Sequence, residues 1–175
     1  QETVKFKLIR QNTDADNAAA CLTMIVNSYG KNFPLNAVRA RTSLEDATIN
    51  VDQLIRGAEA LGFRSKGYAI RFDDLKGVIL PGIIGLEGYR YAVLIKISDR
   101  EVQIADPTEK KIRKISKAEF IKRWTAAQVA GVVDKRADCG VFVAMEPTQR
   151  FEMDGAKKTN PIFYFIDYIL PYKMY

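Results

Sequence analysis

The sequence predicts a single α+β domain in which helices come first and pack on one side of a twisted antiparallel sheet. Helical periodicity dominates residues 17–61, strand patterns dominate residues 63–145, and short turns join the strands. The chain has 175 residues, of which 47% are hydrophobic and 27% charged. That length and composition are typical of one globular domain with a sizeable core.

Three helices are predicted in the first third of the chain. The first spans residues 17–29, where apolar residues recur at helical spacing, with Asp16 as a candidate N-cap and Gly30 as a stop. The second spans residues 35–41 and the third residues 51–61. The first helix is rich in alanine and methionine as well as larger apolar residues, which predicts burial on most sides.

The rest of the domain is predicted as strands with one further helix. The strands are expected at residues 63–70, 89–97, 101–105, 111–115 and 140–145, with two short extended pieces around Pro81 in residues 78–86. Residues 98–100 form the turn of a hairpin. Ser116 and Glu119 have the spacing of a capping box, which predicts a helix that ends near Trp124.

Two segments follow the predicted domain. Residues 149–160 are polar and are predicted to be a linker. Residues 161–175 hold a dense apolar and aromatic cluster that is too short to span a bilayer. Two interpretations stay open for this cluster: a membrane-interface segment or lead-in to a missing transmembrane domain, and an ordinary helix docked on the core.

Charge and residue usage exclude several classes of function. The net charge of +6 is compatible with an anionic partner, but lysine and arginine are spread along the chain and the densest run, residues 110–114, is short. No aromatic nucleic-acid motif accompanies that run, so nucleic acid is not an expected partner. With no histidine and two cysteines, neither a zinc site nor a disulfide framework is expected. No cofactor is predicted for this segment.

Several short motifs occur in an informative order. They are Q-N-T-D-A-D-N-A-A-A-C-L at 11–22, A-E-A-L-G-F at 58–63, Y-A-V-L at 91–94, A-D-P at 105–107, and E-F with W-T between 119 and 125. Together they resemble the double-glycine leader peptidases, which are domains at the N-terminus of bacteriocin-processing ABC exporters. The resemblance covers about residues 5–148 and implies a papain-like cysteine peptidase fold for a domain spanning residues 1–148.

The resemblance also assigns roles to four positions. The nucleophilic cysteine of the family falls on Asn17 and its histidine on Arg90, while the orienting acid, Asp106, and the oxyanion-stabilising amide, Gln11, are retained. In that family a thiolate at a helix N-terminus is paired with an imidazole. An amide forms no thiolate and an arginine stays protonated, so we expect no catalytic residue and no enzyme activity.

Two cysteines are candidates for a substitute nucleophile. Cys21 lies one helical turn after Asn17 and is expected to be a buried thiol in a helix. Cys139 stands in an Asp-Cys-Gly triplet like that of the family, but late in the chain and before a β-rich run. Neither has a histidine to pair with. Residues 126–138 are longer than the family pattern and are expected to be an inserted loop or a helix extension.

The resemblance extends to degenerate domains of the haemolysin type of exporter, and it implies a docking role at the cytoplasmic face of the bacterial inner membrane. The expected partners are the exported polypeptide or leader peptide and the transmembrane and nucleotide-binding domains of the same exporter. Tyr89, Arg90 and Tyr91 are candidate substrate-binding residues. Arg90 has three possible positions: stacked on a tyrosine, paired with Asp106, or pointing to solvent. Two alternatives stay open: a leader peptidase using Cys21 or Cys139, and a basic adaptor that binds anionic partners.

Overall fold

The computed structural model describes residues 6–133 and 135–152. The helices are α1 Asn17–Ser28, α2 Leu35–Thr42, α3 Val51–Ala60, α4 Lys117–Thr125 and α5 Gln149–Glu152. The strands are β1 Phe63–Ile70, β2 Gly82–Leu86, β3 Arg90–Ile97, β4 Glu101–Ala105, β5 Arg113–Ser116 and β6 Gly140–Pro147. Within the described ranges, no helix combines the length and apolar character needed to cross a membrane. The predicted α+β class is confirmed.

The six strands of the described residues form one antiparallel sheet in the order β1-β6-β2-β3-β4-β5. Strands β2 to β5 follow one another through short connections, whereas β6, the last strand in the sequence, lies between β1 and β2. The register pairs Phe63 with Pro147 and Ile83 with Val143. This order places β3 inside the sheet: β2 pairs with it from its first residue, Arg90, whereas β4 pairs with it only from Val93 onward.

Helices cover both faces of the sheet, so the expectation that all helices lie on one side is wrong. Helices α1, α2 and α3 pack on the face that includes Ile83 and Val143. Helix α4 packs on the opposite face, where Phe120 and Trp124 contact the core around Ile84. Every residue of β2 and β6 is buried. Because successive side chains of a strand point to opposite faces, such strands need packed elements on both faces of the sheet.

Helix α1 is the most deeply buried helix of the domain. Its residues 18–26 are all buried, and alanines at 18–20 allow its first turn to approach the sheet closely. Asp16 occupies the predicted N-cap position of α1, but its side chain makes no capping bond to the helix. Instead Asp16 Oδ2 accepts from the backbone N–H groups of Asn12 and Thr13, both at 3.2 Å. Asp16 Oδ1 also lies 3.1 Å from Arg39 Nη1 of α2 as an ion pair.

Between the two predicted alternatives for residues 126–138, the structure has a loop and not a helix extension, and part of this loop is buried. Ala127 and Val129 are buried in the core, and the carbonyl of Ala130 accepts from the N–H of Val51, at the start of α3, over 3.3 Å. Two extended pieces were predicted around Pro81. Only the piece after the proline, Gly82–Leu86, pairs as a strand, and the piece before it does not.

The domain continues slightly beyond residue 148. Helix α5 occupies the start of the predicted 149–160 linker, and its Phe151 is 1% exposed. The ring of Phe151 packs against Phe63 at 4.6 Å and Tyr29 at 6.1 Å between centroids. The structure therefore differs from the prediction for these four residues, because one apolar side chain in a polar segment is enough to dock it. Residues 153–160 and the predicted lead-in at 161–175 lie outside the described residues.

Candidate functional site

The candidate site lies where the N-terminus of α1 meets the start of β3. Asn17, the first residue of α1, is 7% exposed and its carboxamide faces the backbone of Tyr91. Asn17 Oδ1 accepts from the Tyr91 N–H at 2.7 Å, and Asn17 Nδ2 donates to the Tyr91 carbonyl at 3.1 Å. The second Nδ2 proton goes to Gln11 Oε1 at 2.9 Å. Both N–H groups and the oxygen of this amide are therefore occupied within the protein.

Gln11 is held next to Asn17 by its backbone as well as its side chain. The Gln11 N–H donates to the carbonyl of Pro107 at 3.0 Å, which ties the N-terminal arm to the residue after Asp106. Its Nε2 donates to Asp14 Oδ1 at 3.2 Å. One of the two Nε2 N–H groups of Gln11 is thus directed toward Asp14, while its oxygen faces Asn17. The atom that Gln11 presents to residue 17 is therefore an acceptor and not a donor.

Arg90 forms an ion pair with Asp106, which decides among the three positions considered for it. Arg90 Nη1 donates to Asp106 Oδ2 and to Thr108 Oγ1, the latter at 3.3 Å. Asp106 is 3% exposed, and its Oδ1 accepts from the N–H and hydroxyl of Thr108 at 3.0 and 2.7 Å. Burial lowers the pKa of Arg90, but the hydrogen bond and charge of Asp106 outweigh it and raise that pKa overall. Arg90 is therefore a permanent cation and no base.

The other edge of the Arg90 guanidinium is held by Glu87. Arg90 Nε donates to the Glu87 carbonyl at 3.1 Å, and Arg90 Nη2 donates to Glu87 Oε1 at 3.2 Å. Glu87 also accepts from Arg123 Nε of α4 at 3.0 Å. Partial burial opposes ionisation of Glu87, but Arg123 and Arg90 lower its pKa. Sequence reasoning missed Glu87 and Arg123, and only the i, i+3 spacing of Glu87 and Arg90 offered a signal.

Neither thiol of the chain is positioned as a nucleophile. Cys21 has no exposed surface, and burial together with the charge of Asp106 raises its pKa well above the usual value despite the opposing charge of Arg90. Cys139 is 6% exposed at the entrance to β6, where burial and Asp138 raise its pKa. A thiol with a raised pKa is mostly protonated near neutral pH and attacks slowly. The chain has no histidine to remove the proton.

The two candidate binding tyrosines differ in accessibility. The ring of Tyr91 is 2% exposed and its hydroxyl donates to the carbonyl of Ile49 at 2.7 Å. Tyr89 is 47% exposed and has a backbone φ of 58°. Both line a shallow depression that opens to solvent beside Asn17. The other lining residues, which sequence reasoning missed, are Ala18, Asp46, Ala47 and Ile49.

The geometry thus brings together the four positions assigned from the resemblance: Gln11, Asn17, Arg90 and Asp106. The model of the Peptidase C39 family matches residues 5–138 of this chain. Among curated relatives, the lactococcin-G-processing and transport ATP-binding protein LagD of Lactococcus lactis subsp. lactis is 29% identical over 125 residues, covering 68% of this chain and 18% of that protein. The colicin V secretion/processing ATP-binding protein CvaB of Escherichia coli is 27% identical, covering 69% of this chain and 17% of that protein.

A third relative is covered over more of its length. The probable functional amyloid protease FapD of Pseudomonas aeruginosa is 29% identical over 164 residues, covering 86% of this chain and 72% of that protein. The chain spans less than a fifth of the two ATP-binding proteins that it matches.

Solved structures agree with the family match. The peptidase domain of Streptococcus ComA, a bi-functional ABC transporter, aligns with a TM-score of 0.67 at 20% identity, covering 82% of this chain and all of that one. A double glycine motif protease from an AMS/PCAT transporter, solved with its leader peptide, aligns with a TM-score of 0.64 at 26% identity, covering 83% of this chain and 94% of that one. The resemblance drawn from the sequence motifs is confirmed, and the chain belongs to the Peptidase C39 family, with its papain-like fold.

Proposed function

We propose that this chain is a non-catalytic peptidase-like domain of an ABC exporter, which holds a leader peptide or exported polypeptide without cutting it. One observation carries the proposal: the position matched to the nucleophile is an amide bonded to Tyr91 and Gln11, and the position matched to the base is an arginine paired with Asp106. Peptide hydrolysis by this fold needs an ionisable thiol next to a proton acceptor. Asn17 and Arg90 supply neither.

A binding role needs only the cleft, which does not depend on the lost thiol and imidazole. Tyr89 is accessible beside Asn17, and the depression there is open to solvent. The relatives of known name are processing and transport proteins, and one related protease was solved with its leader peptide. By analogy, the partners of this domain are the exported polypeptide and the membrane and nucleotide-binding domains of its exporter, at the cytoplasmic face of the membrane.

The test measures binding and cleavage in one experiment. A fluorescein-labelled double-glycine leader peptide is mixed with the 175-residue chain; anisotropy reports binding and mass spectrometry reports cleavage. We expect saturable binding with the peptide left intact. A double variant, Asn17→Cys with Arg90→His, is assayed in parallel because any cleavage that it gains shows that the peptide reaches this site. Cleavage by the unaltered chain that iodoacetamide blocks would contradict the proposal, as would a complete lack of binding.

A peptidase that uses a non-standard thiol is the main alternative. Both Cys21 and Cys139 are buried and have raised pKa values, which makes this alternative the weaker one. The variant with Cys21→Ala and Cys139→Ala separates the two functions. Peptide binding that persists in this variant supports the docking role, whereas loss of a measured cleavage activity would support the peptidase.

A further inference from the structure

A three-residue turn, residues 87–89, joins β2 to β3 beside the candidate site. The register pairs Leu86 with Arg90 across this turn. Gly88 and Tyr89 both have positive φ, of 79° and 58°. Glycine adopts this left-handed conformation readily, whereas a bulky residue such as tyrosine rarely does. Tyrosine at this position therefore needs contacts that hold the turn, because a strained backbone persists only where its surroundings fix it.

Glu87, the first residue of the turn, is held by Arg90 of β3. Arg90 Nε donates to the Glu87 carbonyl at 3.1 Å, and Arg90 Nη2 donates to Glu87 Oε1 at 3.2 Å. The guanidinium is itself fixed, because its Nη1 donates to Asp106, which is 3% exposed. Asp106 in turn accepts two hydrogen bonds from Thr108. Arg90 therefore connects the backbone and the side chain of Glu87 to a buried carboxylate of the domain.

Arg123 of α4 holds Glu87 from a second element. Arg123 Nε donates to Glu87 Oε1 at 3.0 Å, and Arg123 Nη2 lies 2.8 Å from the same oxygen. The next residue, Trp124, has no exposed surface, and its indole N–H donates to the carbonyl of Val141 at 2.8 Å, which fixes this end of α4. We call Glu87, Arg90 and Arg123 the arginine clamp. The clamp connects the turn to both the sheet and α4.

The side chain of Tyr89 takes no part in the clamp. The residue is 47% exposed and lines the depression beside Asn17. Within residues 6–133 and 135–152, no hydrogen bond or ring contact fixes its phenol group. The strained backbone at Tyr89 thus presents an exposed ring next to the candidate site, and backbone strain of this kind is typical of positions that contact a ligand.

We propose that Glu87 and Arg123 are positioning residues, which hold the β2–β3 turn so that the Tyr89 ring is in place for the polypeptide bound in the cleft. This inference rests on the proposed function, since it assumes such a polypeptide. Without the clamp the turn would adopt several conformations, and binding would include the free-energy cost of ordering it. With the clamp, the turn is ordered before the polypeptide binds.

The experiment measures the coupling between Arg123 and Tyr89 in peptide binding. Fluorescence anisotropy gives the dissociation constant of a fluorescein-labelled double-glycine leader peptide for the 175-residue chain, for Arg123→Gln, for Tyr89→Ala and for the double variant. We expect Arg123→Gln to weaken binding about 3- to 5-fold when Tyr89 is present. In the Tyr89→Ala background the same substitution should change the affinity by less than about 1.5-fold, because the ring that it positions is absent.

Two further variants separate positioning from a general effect on the surface charge. Glu87→Ala removes the carboxylate of the clamp and should weaken binding to a similar extent. Lys76→Gln is the matched control, since it removes a cation that pairs at 2.5 Å with Asp99, in the turn at the opposite end of β3. It should leave the peptide affinity unchanged.

The order of the turn is measured separately on the free chain. In the ¹⁵N-labelled protein, the heteronuclear NOE of the Gly88 and Tyr89 amides should fall in Arg123→Gln and stay unchanged in Lys76→Gln. An unchanged NOE in Arg123→Gln overturns the positioning role. Equal weakening of peptide binding in the presence and absence of the Tyr89 ring overturns it as well.

The failures of the two proposals are distinguishable. A leader peptide that does not bind the unaltered chain overturns the docking role and, with it, the ligand assumed for Tyr89. A peptide that binds the unaltered chain but shows no coupling between Arg123 and Tyr89 overturns the positioning role alone.

Discussion

The side chain of Asn17 pairs with the backbone of Tyr91 through two hydrogen bonds, much as one peptide group pairs with another. Asn17 Oδ1 receives the Tyr91 N–H at 2.7 Å and Asn17 Nδ2 reaches the Tyr91 carbonyl at 3.1 Å. At the other end of α1, Asn27 makes the same pair with Phe33, at 2.7 and 3.0 Å. Both ends of the helix are therefore fastened by an asparagine amide. At the N-terminal end, that amide stands at the position that the sequence resemblance assigns to the nucleophile.

Replacing Asn17 should cost stability because its amide is a structural link. We expect Asn17→Ala to lower the free energy of unfolding by about 2–4 kcal/mol, since it leaves the buried N–H and carbonyl of Tyr91 without partners. Urea unfolding followed by circular dichroism measures the change. Asn27→Ala is the matched control, because it removes an equivalent pair away from the cleft. It should destabilise the domain without altering peptide affinity, and a stable Asn17→Ala variant would refute the structural role.

Arg90 and Arg123 both contact Glu87, but their removal should have unequal effects. Arg90→Ala leaves the buried carboxylate of Asp106 without its cation, and we expect a loss of about 3 kcal/mol. Arg123→Ala removes an ion pair with Glu87, whose side chain is 50% exposed, and we expect a loss below about 1 kcal/mol. Chemical unfolding of the two variants under identical conditions provides the comparison. Similar losses would show that Arg90 does not stabilise Asp106.

The two cysteines should resist alkylation while the chain is folded. Cys21 has no exposed surface and Cys139 is 6% exposed, and burial raises the pKa of each thiol. With iodoacetamide at pH 8, intact mass spectrometry should show slow modification of the native chain and rapid double modification in guanidinium chloride. Because Cys21 has no exposed surface and Cys139 has a little, Cys21 should react more slowly than Cys139. Rapid labelling of Cys21 in the folded chain would support the alternative function, a peptidase that uses a non-standard thiol.

Stability should fall at alkaline pH. Burial, followed by the charge of Glu146, raises the pKa of Tyr29 from 10.0 to about 12. Both states keep this proton below pH 10, so the contribution of Tyr29 is fully present there. Between pH 10 and about 12 the unfolded chain releases the proton while the folded chain keeps it, and the free energy of unfolding decreases. The raised pKa of Cys21 acts in the same direction above pH 9.

The variant Tyr29→Phe isolates one part of this pH dependence. Without the hydroxyl, the loss of stability between pH 10 and 12 should be smaller, as measured by thermal unfolding at a series of pH values. Tyr89→Phe removes an exposed hydroxyl instead and is the matched control. Identical pH profiles for the unaltered chain and Tyr29→Phe would show that Tyr29 does not contribute to the loss of stability between pH 10 and 12.

Phe151 should anchor the end of the described domain. The ring is 1% exposed and packs against Phe63 and Tyr29, while the neighbouring Thr148 donates its N–H and hydroxyl to the carbonyl of Gly62 at 3.0 and 2.6 Å. We expect Phe151→Ala to lower the free energy of unfolding by about 3–4 kcal/mol, and Phe151→Leu to cost less because it fills more of the space. If Phe151→Ala leaves the free energy of unfolding unchanged, residues 149–152 belong to the linker and not to the domain.

Most of the secondary structure was predictable because its signals are local. The helical spacing of α1 and the cap at Ser116 require only neighbouring residues, and the Ser116 side chain does accept from the N–H of Glu119. The packing of a helix on the second face of the sheet was not predicted. A continuous apolar strand such as β6 indicates burial on both faces, but its sequence does not indicate which helices cover them. The docking of Phe151 was missed for a related reason: a single apolar residue has no periodicity.

For the site, the residue types were decided by the sequence alone. A chain without histidine cannot form a thiolate–imidazole pair in any fold, and the motif order indicated the family before any coordinates. The partners of each group were decided only by the tertiary structure. Asn17 and Tyr91 are 74 residues apart and Arg90 and Asp106 are 16 residues apart, and nothing local distinguishes these pairings from others. Chemistry follows from which side chains are present, whereas geometry follows from how distant segments pack.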